Sequence, residues 1–149
     1  MKNVDIYTDG CCKGNPGPGG WGAVLIYKQH ISEISGGCKN TTNNQMEITG
    51  VIEALKLLKE PCNLTIHTDS QYVVNSFEKG WLDKWVSENF KSNDGNDRPN
   101  TNLWRELLRL LKPHTYKFVW VRGHNGDKYN ERCDRLANEA VQMFILETI

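Results

Sequence analysis

The sequence has no excess of charge of either sign and no long hydrophobic run. Its 149 residues include 18 Lys plus Arg and 18 Asp plus Glu, so the formal net charge is zero. Bulk charge therefore does not attract a polyanion, and any nucleic-acid binding must depend on local geometry. No apolar stretch is long enough to cross a bilayer, and no secretory signal is recognisable. We expect a cytoplasmic protein with no membrane contact.

The sequence also lacks the cysteine pattern of a disulfide framework or a zinc site. The five cysteines are odd in number, and none belongs to a CxxC motif. We interpret all of them as reduced thiols: Cys11, Cys12, Cys38, Cys62 and Cys133.

Internal repeats, low-complexity tracts, interdomain linkers and a heptad seam are absent as well. The chain is 38% hydrophobic and 24% charged, which suits one compact domain with a substantial core. These features predict a single domain over residues 1–149 and a monomer.

Four acidic residues occur in four separate short motifs: Asp9 in IYTDG, Glu47 in NNQME, Asp69 in TDSQ and Asp134 in NERCD. Carboxylates at close range repel one another and raise one another's pKa. Such a cluster is poor structure unless hard divalent cations neutralise it. If the fold gathers these four side chains, they form a metal site.

The hydrophobic pattern predicts a mixed α/β chain. Three β-rich segments, at residues 4–9, 21–27 and 31–38, predict antiparallel strands, and the glycine-rich residues 14–20 predict a tight turn. Trp104 and Trp120 lie in periodic segments, so we expect them in the core. Further strands are expected at residues 64–68 and 116–121, and helices over 46–58, from 70, over 81–85, over 103–111 and over 130–144.

The predicted elements place the acidic residues near strand ends and apolar helix faces. Asp9 is expected on or near the end of the first strand and Asp69 at the C-terminal end of the fourth. Strand ends that feed helices are where open α/β sheets hold their sites. Glu47 and Asp134 border apolar stripes of their helices, and an inward-pointing carboxylate needs a partner.

Other interpretations remain for single residues. Asp69 alone is more often a helix cap than a ligand, and Asn43 or Asn44 can cap the helix of Glu47. Asp134 alone could pair with a neighbouring arginine, Arg132 or Arg135.

Taken together, the motifs resemble those of ribonuclease H type 1, particularly the bacterial single-domain enzymes. The resemblance covers nearly the whole chain and rests on YTDG at 7–10, GNPGPGG at 14–20, TTNNQME at 41–47, TDSQYV at 68–73, and VRGH at 121–124 followed by NERCD at 130–134. It implies an α/β fold of the ribonuclease H type. In that fold, helices flank a mixed five-stranded sheet of three antiparallel and then two parallel strands.

The resemblance implies an endoribonuclease that hydrolyses the RNA strand of RNA·DNA hybrids. It places Asp9, Glu47, Asp69 and Asp134 around two Mg²⁺ ions, for which Mn²⁺ could substitute. In the two-metal scheme the products carry 5′-phosphate and 3′-hydroxyl ends. His124 matches a family histidine that moves protons or assists product release, and an imidazole that titrates at about pH 6.5 suits either role.

The resemblance also implies substrate contacts. Asn15, Asn43 and Gln71, with nearby backbone groups, would touch the RNA minor groove, where 2′-hydroxyls distinguish RNA from DNA. Thr42, with Asn15 or neighbouring groups, would grip a phosphate of the DNA strand. Two tryptophans match aromatics of a helical protrusion that leans on the DNA backbone. The implied set is Asn15, Thr42, Asn43, Asn44, Gln71, Trp81 and Trp85.

One departure from the bacterial pattern concerns residues 78–102, which we call the protrusion. This segment is strongly basic in bacterial relatives, whereas here four basic residues face five acidic ones, for a net charge of −1. Fewer cationic contacts release fewer counterions. We therefore expect weaker hybrid binding with a shallower salt dependence.

Three rival functions differ from the expected one in recognisable ways. A non-catalytic hybrid-binding module of the same fold would usually lack one or more of the four carboxylates. A phosphotransferase or ATPase would need a lysine-bearing phosphate loop, which this sequence lacks. A related nuclease, such as an integrase or junction resolvase, would not share the set Asn15, Asn43 and Gln71.

Overall fold

A computed structural model describes residues 1–123 and 126–147. His124, Asn125 and the last two residues lie outside this range. The elements run in the order β1 Lys2–Cys12, β2 Gly17–Tyr27, β3 His30–Thr41, α1 Asn43–Leu55, β4 Cys62–Thr68, α2 Gln71–Glu78, α3 Trp81–Ser87, α4 Thr101–Leu111, β5 Thr115–Trp120 and α5 Lys128–Glu147.

The strands form one five-stranded sheet in the order β3-β2-β1-β4-β5. β1 pairs with β2 and β2 with β3 in antiparallel fashion, whereas β4 runs parallel to both β1 and β5. The predicted mixed sheet is therefore confirmed. In the register of the central parallel pair, Thr8 lies opposite Thr68, where β4 ends, whereas β1 continues to Cys12.

Helices cover both faces of the sheet. On one face, α1 and α4 enclose the main core with residues such as Ile6, Ile66, Val51 and the fully buried Trp104. On the other face, α5 packs over β1, β2 and β3. Gly22 permits this close approach, because a Cβ there would lie 2.6 Å from the Cβ of Leu136.

Several predicted element ends are wrong. The turn expected at residues 14–20 is confined to the short connection before Gly17, because β2 begins at that glycine. Helix α1 ends at Leu55, three residues earlier than predicted. Its N-cap is Thr42, whose Oγ1 accepts a hydrogen bond from the backbone N–H of Gln45 (3.2 Å), so neither Asn43 nor Asn44 is the cap.

Burial confirms one tryptophan prediction and corrects another. Trp104 is completely buried, whereas Trp120 is 45% exposed. Trp120 ends β5, an edge strand with one neighbour, so part of its side chain stays in contact with solvent. All five cysteines are free thiols, as expected.

No helix within residues 1–123 or 126–147 has both the length and the apolar character required to cross a membrane.

Candidate active site

Three of the four acidic residues meet at the carboxyl ends of the central strands. Carboxylate oxygens of Asp9, Glu47 and Asp69 all lie within 4.8 Å of one another. The parallel pairing of Thr8 with Thr68 sets Asp9 and Asp69 side by side, since each is the next residue along its strand direction. Glu47 reaches the same point from the first turns of α1.

The electrostatics of this cluster favour neutralisation of its carboxylates by protons or cations. Only 5% of Asp9 and 6% of Glu47 is exposed. Burial, followed by the negative charge of Asp69, raises the pKa of Asp9 to about 8. Burial and then the charge of Asp9 raise the pKa of Glu47 well above its usual value. The N–H of Gly10 donates to Asp9 Oδ1 at 2.8 Å, which offsets only part of this cost.

One atom of the cluster indicates which kind of ligand would suit it. Glu47 Oε1 is buried and has no hydrogen-bond partner in the described part of the chain. A buried carboxylate oxygen without a donor is costly unless a cation or a proton satisfies it. Hard oxygen ligands at short mutual distance are the donor set that Mg²⁺ and similar cations prefer. The cluster therefore fits a divalent metal, and its three residues would be the ligands.

Asp134 faces the same cleft from α5. It lines the cleft together with Asp9, Glu47 and Asp69. Its side chain is held within its own helix, because Nδ2 of Asn138 donates to Asp134 Oδ1 at 3.2 Å. The alternative pairing with Arg132 is not what the structure shows, since that guanidinium binds both carboxylate oxygens of Glu33, at 2.6 and 2.9 Å.

The expected substrate residues divide into two groups. Asn43, Asn44 and Gln71 line the acidic cleft. Asn15 and Thr42 lie beside it, because Asn15 Oδ1 accepts a hydrogen bond from the N–H of Asn43 at 3.0 Å and Thr42 caps α1. Asn15, Asn43 and Asn44 thus lie at the N-terminus of α1, and Gln71 reaches the same cleft from the start of α2.

The tryptophans of α3 lie apart from the cleft. Their ring centres are 6.3 Å apart, and Trp85 also packs against the buried Trp104 at 5.9 Å. Trp81 is 36% exposed, and Lys79 Nζ lies 5.9 Å from its ring centre. Trp85 is therefore mainly a packing residue, whereas Trp81 is available to a ligand.

One predicted role is wrong and another falls outside the described residues. Asp69 does not cap α2, because Ser70 does so by accepting a hydrogen bond from the N–H of Val73 at 3.2 Å. His124 lies outside the described residues, so its expected role stays a prediction from the sequence.

Sequence reasoning missed four residues that border the acidic cluster. Tyr72 lines the cleft, and Trp120 donates its indole N–H to the carbonyl oxygen of Asp69 at 3.2 Å. Gly123 lies against the Asp69 carboxylate, and Asn138 holds Asp134. Only the spacing of Asp134 and Asn138, one helical turn, was visible as a signal in the sequence.

Comparison with known proteins places the chain among ribonucleases H. The family model described as RNase H matches residues 1–142. The ribonuclease H of Caldanaerobacter subterraneus subsp. tengcongensis is 50% identical over 151 residues, covering 99% of both chains. The ribonuclease H of Oleidesulfovibrio alaskensis is 55% identical over 137 residues, covering 92% of this chain and 89% of the relative.

Among solved structures, the fold is similar to that of LC9-RNase H1, which is described as a type 1 RNase H with the type 2 active-site motif. The TM-score is 0.86 at 29% identity, and the match covers 95% of this chain and 73% of the other.

Proposed function

The chain belongs to the RNase H family and is an endonuclease that cleaves the RNA strand of RNA·DNA hybrids, and on that basis we propose how its residues carry out the reaction. Asp9, Glu47, Asp69 and Asp134 hold two Mg²⁺ ions, and Mn²⁺ can replace them. The observation that carries this proposal is the buried, unpartnered Oε1 of Glu47 beside the oxygens of Asp9 and Asp69.

The carboxylates must be ionised to bind metal in this scheme. The raised pKa values of Asp9 and Glu47 mean that metal competes with protons for the site. When bound, a pair of divalent ions supplies activation of water and stabilisation of the charge that develops on the scissile phosphate. The RNA strand is cut to give 5′-phosphate and 3′-hydroxyl ends.

Substrate selection depends on the amides beside the cluster. Asn43 and Gln71 line the cleft, and the bond from the N–H of Asn43 holds Asn15 next to them. Amide side chains can both donate and accept hydrogen bonds, which suits recognition of a 2′-hydroxyl in the minor groove. Asn44 lies at the same place and supports the same contacts.

The N-terminus of α1 and the exposed ring of α3 would contact the DNA strand. Thr42 caps α1, and unpaired N–H groups at a helix N-terminus favour a phosphate. Trp81, with Trp85 behind it, offers an exposed aromatic surface on the protrusion. His124 moves protons or assists product release.

The proposal also covers domain organisation, oligomeric state and location in the cell. Core clusters packed against a single five-stranded sheet support a single catalytic domain over residues 1–149, and we expect it to act as a monomer. The free state of all five cysteines supports a reducing, cytoplasmic location.

The test is cleavage of an end-labelled RNA·DNA hybrid beside RNA·RNA and DNA·DNA duplexes of the same sequence. Each substrate is incubated with Mg²⁺, with Mn²⁺ or with a chelator, and the product ends are mapped. We expect metal-dependent cutting of the RNA strand of the hybrid alone, with 5′-phosphate ends. Binding of the hybrid without cutting would instead support a non-catalytic module, and cutting of all three duplexes would remove the proposed role of the amides.

A further inference from the structure

We propose that Lys13 and Asn138 act as a positioning pair for Asp134, so that this carboxylate faces the metal site before metal arrives. The inference rests on the proposed function, because it assumes that Asp134 is a metal ligand. It concerns two side chains outside the set of ligands, one directly after β1 and one in the middle of α5.

A continuous hydrogen-bonded path joins the three side chains. Nδ2 of Asn138 donates to the Asp134 backbone carbonyl at 2.9 Å and to Asp134 Oδ1 at 3.2 Å. The other end of the same amide, Oδ1, accepts a hydrogen bond from Lys13 Nζ at 3.3 Å. Lys13 thus contacts the amide that contacts the carboxylate.

The chemistry of the three groups fixes the direction of this path. A lysine ammonium can only donate, and an ionised carboxylate can only accept. The amide of Asn138 between them must therefore present its oxygen to Lys13 and its NH₂ group to Asp134. Removal of Lys13 would take away the contact that holds the amide oxygen and would leave the amide held by its bonds to Asp134.

Asp134 needs such support more than Asp9 and Glu47 do. Asp9 and Glu47 are almost fully buried, so packing fixes their side chains. Asp134 is only half-buried and belongs to a helix that lies across the opposite face of the sheet. The ion pair of Arg132 with Glu33 fastens the same turn of α5 to β3, which leaves the side chain of Asp134 as the part that Asn138 must orient.

Lys13 is itself held in a defined place. Its backbone N–H donates to the carbonyl oxygen of Pro18 at 2.8 Å, closing the short connection between β1 and β2. That connection brings the exposed Lys13 to Asn138, which lies 125 residues later in the chain, in the middle of α5. Lys13 therefore contacts Asn138 and is not a free surface charge.

Three variants test the pair: Asn138→Ala, Lys13→Met and the double variant. Partners that orient metal ligands typically contribute about tenfold or more to metal affinity. We expect Asn138→Ala to raise the Mg²⁺ concentration for half-maximal single-turnover cleavage by about tenfold. Lys13→Met should give a smaller rise, and the double variant should match Asn138→Ala because Lys13 acts through Asn138. Lys13→Arg should retain wild-type behaviour, since it keeps the donor.

A second readout needs no cleavage. The rise in Tm that Mg²⁺ gives to the substrate-free protein should shrink in Asn138→Ala and in Lys13→Met. Matched controls are Gln142→Ala, an exposed position one turn further along α5, and Lys112→Met, an exposed lysine at the end of α4. Both controls should keep the wild-type Mg²⁺ response.

The outcomes separate this inference from the proposed function. If the wild type cuts the hybrid with Mg²⁺ but Asn138→Ala needs no more Mg²⁺ than the wild type, the positioning pair is wrong and the function stands. If Lys13→Met instead weakens hybrid binding and lowers its salt dependence equally with or without Asn138, Lys13 contacts a phosphate directly and the inference is also wrong. Failure of the wild type to cut any hybrid would contradict the proposed function itself.

Discussion

Gly123 lies directly against the carboxylate of Asp69: a Cβ atom built at Gly123 would be 2.9 Å from Asp69 Oδ2. The backbone of Asp69 is also tied to β5, because the indole N–H of Trp120 donates to its carbonyl oxygen. The N–H of Val121 donates to the carbonyl oxygen of Thr68 at 2.8 Å. The segment after β5 therefore fixes the position of Asp69 and leaves just enough space for its side chain.

We expect Gly123→Ala to push the Asp69 carboxylate out of place and to slow cleavage. A displacement of about 1 Å at a reacting centre can cost on the order of 100-fold in rate. Single-turnover rates measured across Mg²⁺ concentrations should show a lower maximum or a higher Mg²⁺ requirement.

Gly50→Ala is the matched control for this change. A Cβ at Gly50 would make ordinary contacts, the nearest at 3.5 Å with the Cβ of Thr8, and alanine favours a helix over glycine. This variant should keep its activity and should be at least as stable as the wild type. Wild-type Mg²⁺ dependence in Gly123→Ala would contradict the role given to Gly123.

The metal-free protein should lose stability as the pH rises from about 4 to about 8. The carboxyls of Asp9 and Glu47 have higher pKa values in the folded state than in the unfolded chain, where a carboxyl titrates at about 4. Their contribution is complete below the unfolded pKa and is lost as the pH rises through the folded one. Each group lowers the free energy of unfolding by up to about 1.4 kcal/mol per pH unit in this window.

Urea unfolding in the presence of a chelator, at pH 5 and at pH 8, measures this effect. Asp9→Asn cannot ionise, so its free energy of unfolding should change less between the two pH values than that of the wild type. Asp83→Asn, an exposed position on α3, is the control and should follow the wild type. The same pH dependence in Asp9→Asn and wild type would show that repulsion in the cluster is unimportant.

The protrusion should bind DNA weakly because its cations are partly neutralised by its own acids. Nζ of Lys91 lies 2.7 Å from Asp97, and the guanidinium of Arg98 lies 3.8 Å from Glu88. We expect Asp97→Asn and Glu88→Gln to release these cations for the hybrid. The slope of log affinity against log salt should steepen by up to about 0.9 for each further phosphate that the protein neutralises.

Glu60→Gln is the control for the charge change. It frees Lys2, which pairs with Glu60 at the start of β1, at the far end of that strand from Asp9. Hybrid binding by this variant should keep the wild-type salt slope. Equal slopes in all three variants would contradict the role of the protrusion.

His124 is expected to act in turnover rather than in substrate binding. Removing a proton-transfer group typically costs about 100-fold or more. His124→Ala should therefore lower multiple-turnover cleavage strongly with little change in hybrid affinity. Single-turnover rates distinguish the two roles, since a defect confined to multiple turnover indicates product release and a defect in both indicates proton transfer. If His124→Ala changes neither the single-turnover nor the multiple-turnover rate, both proposed roles of His124 are wrong.

The sequence predicted the parts of the site that depend on local pattern. Parallel strand ends place Asp9 and Asp69 together, and the helical stripe directs Glu47 inward, as the structure confirms. The glycine-rich residues 14–20, interpreted as a turn, lie largely in β2. Gly20 and Gly22 allow α5 to pack closely on this strand. No local pattern reveals a packing partner that is as distant in the chain as α5.

Contacts between distant segments account for the other differences. Trp120 has the periodicity of a core residue, yet its place at the end of an edge strand leaves it exposed. The contact between Lys13 and Asn138 depends on how a short connection meets a helix from the other end of the chain. Such relationships are set by tertiary packing and are invisible to spacing rules.

The most direct test of the central claim is single-turnover cleavage of an RNA·DNA hybrid in Mg²⁺ by the wild type and by Asp9→Asn, with circular dichroism to verify the fold. The proposed site predicts that the wild type cuts the RNA strand, and that Asp9→Asn stays folded, with stability equal to or above that of the wild type, and does not cut. An Asp9→Asn variant that retains most of the wild-type cleavage rate would contradict it.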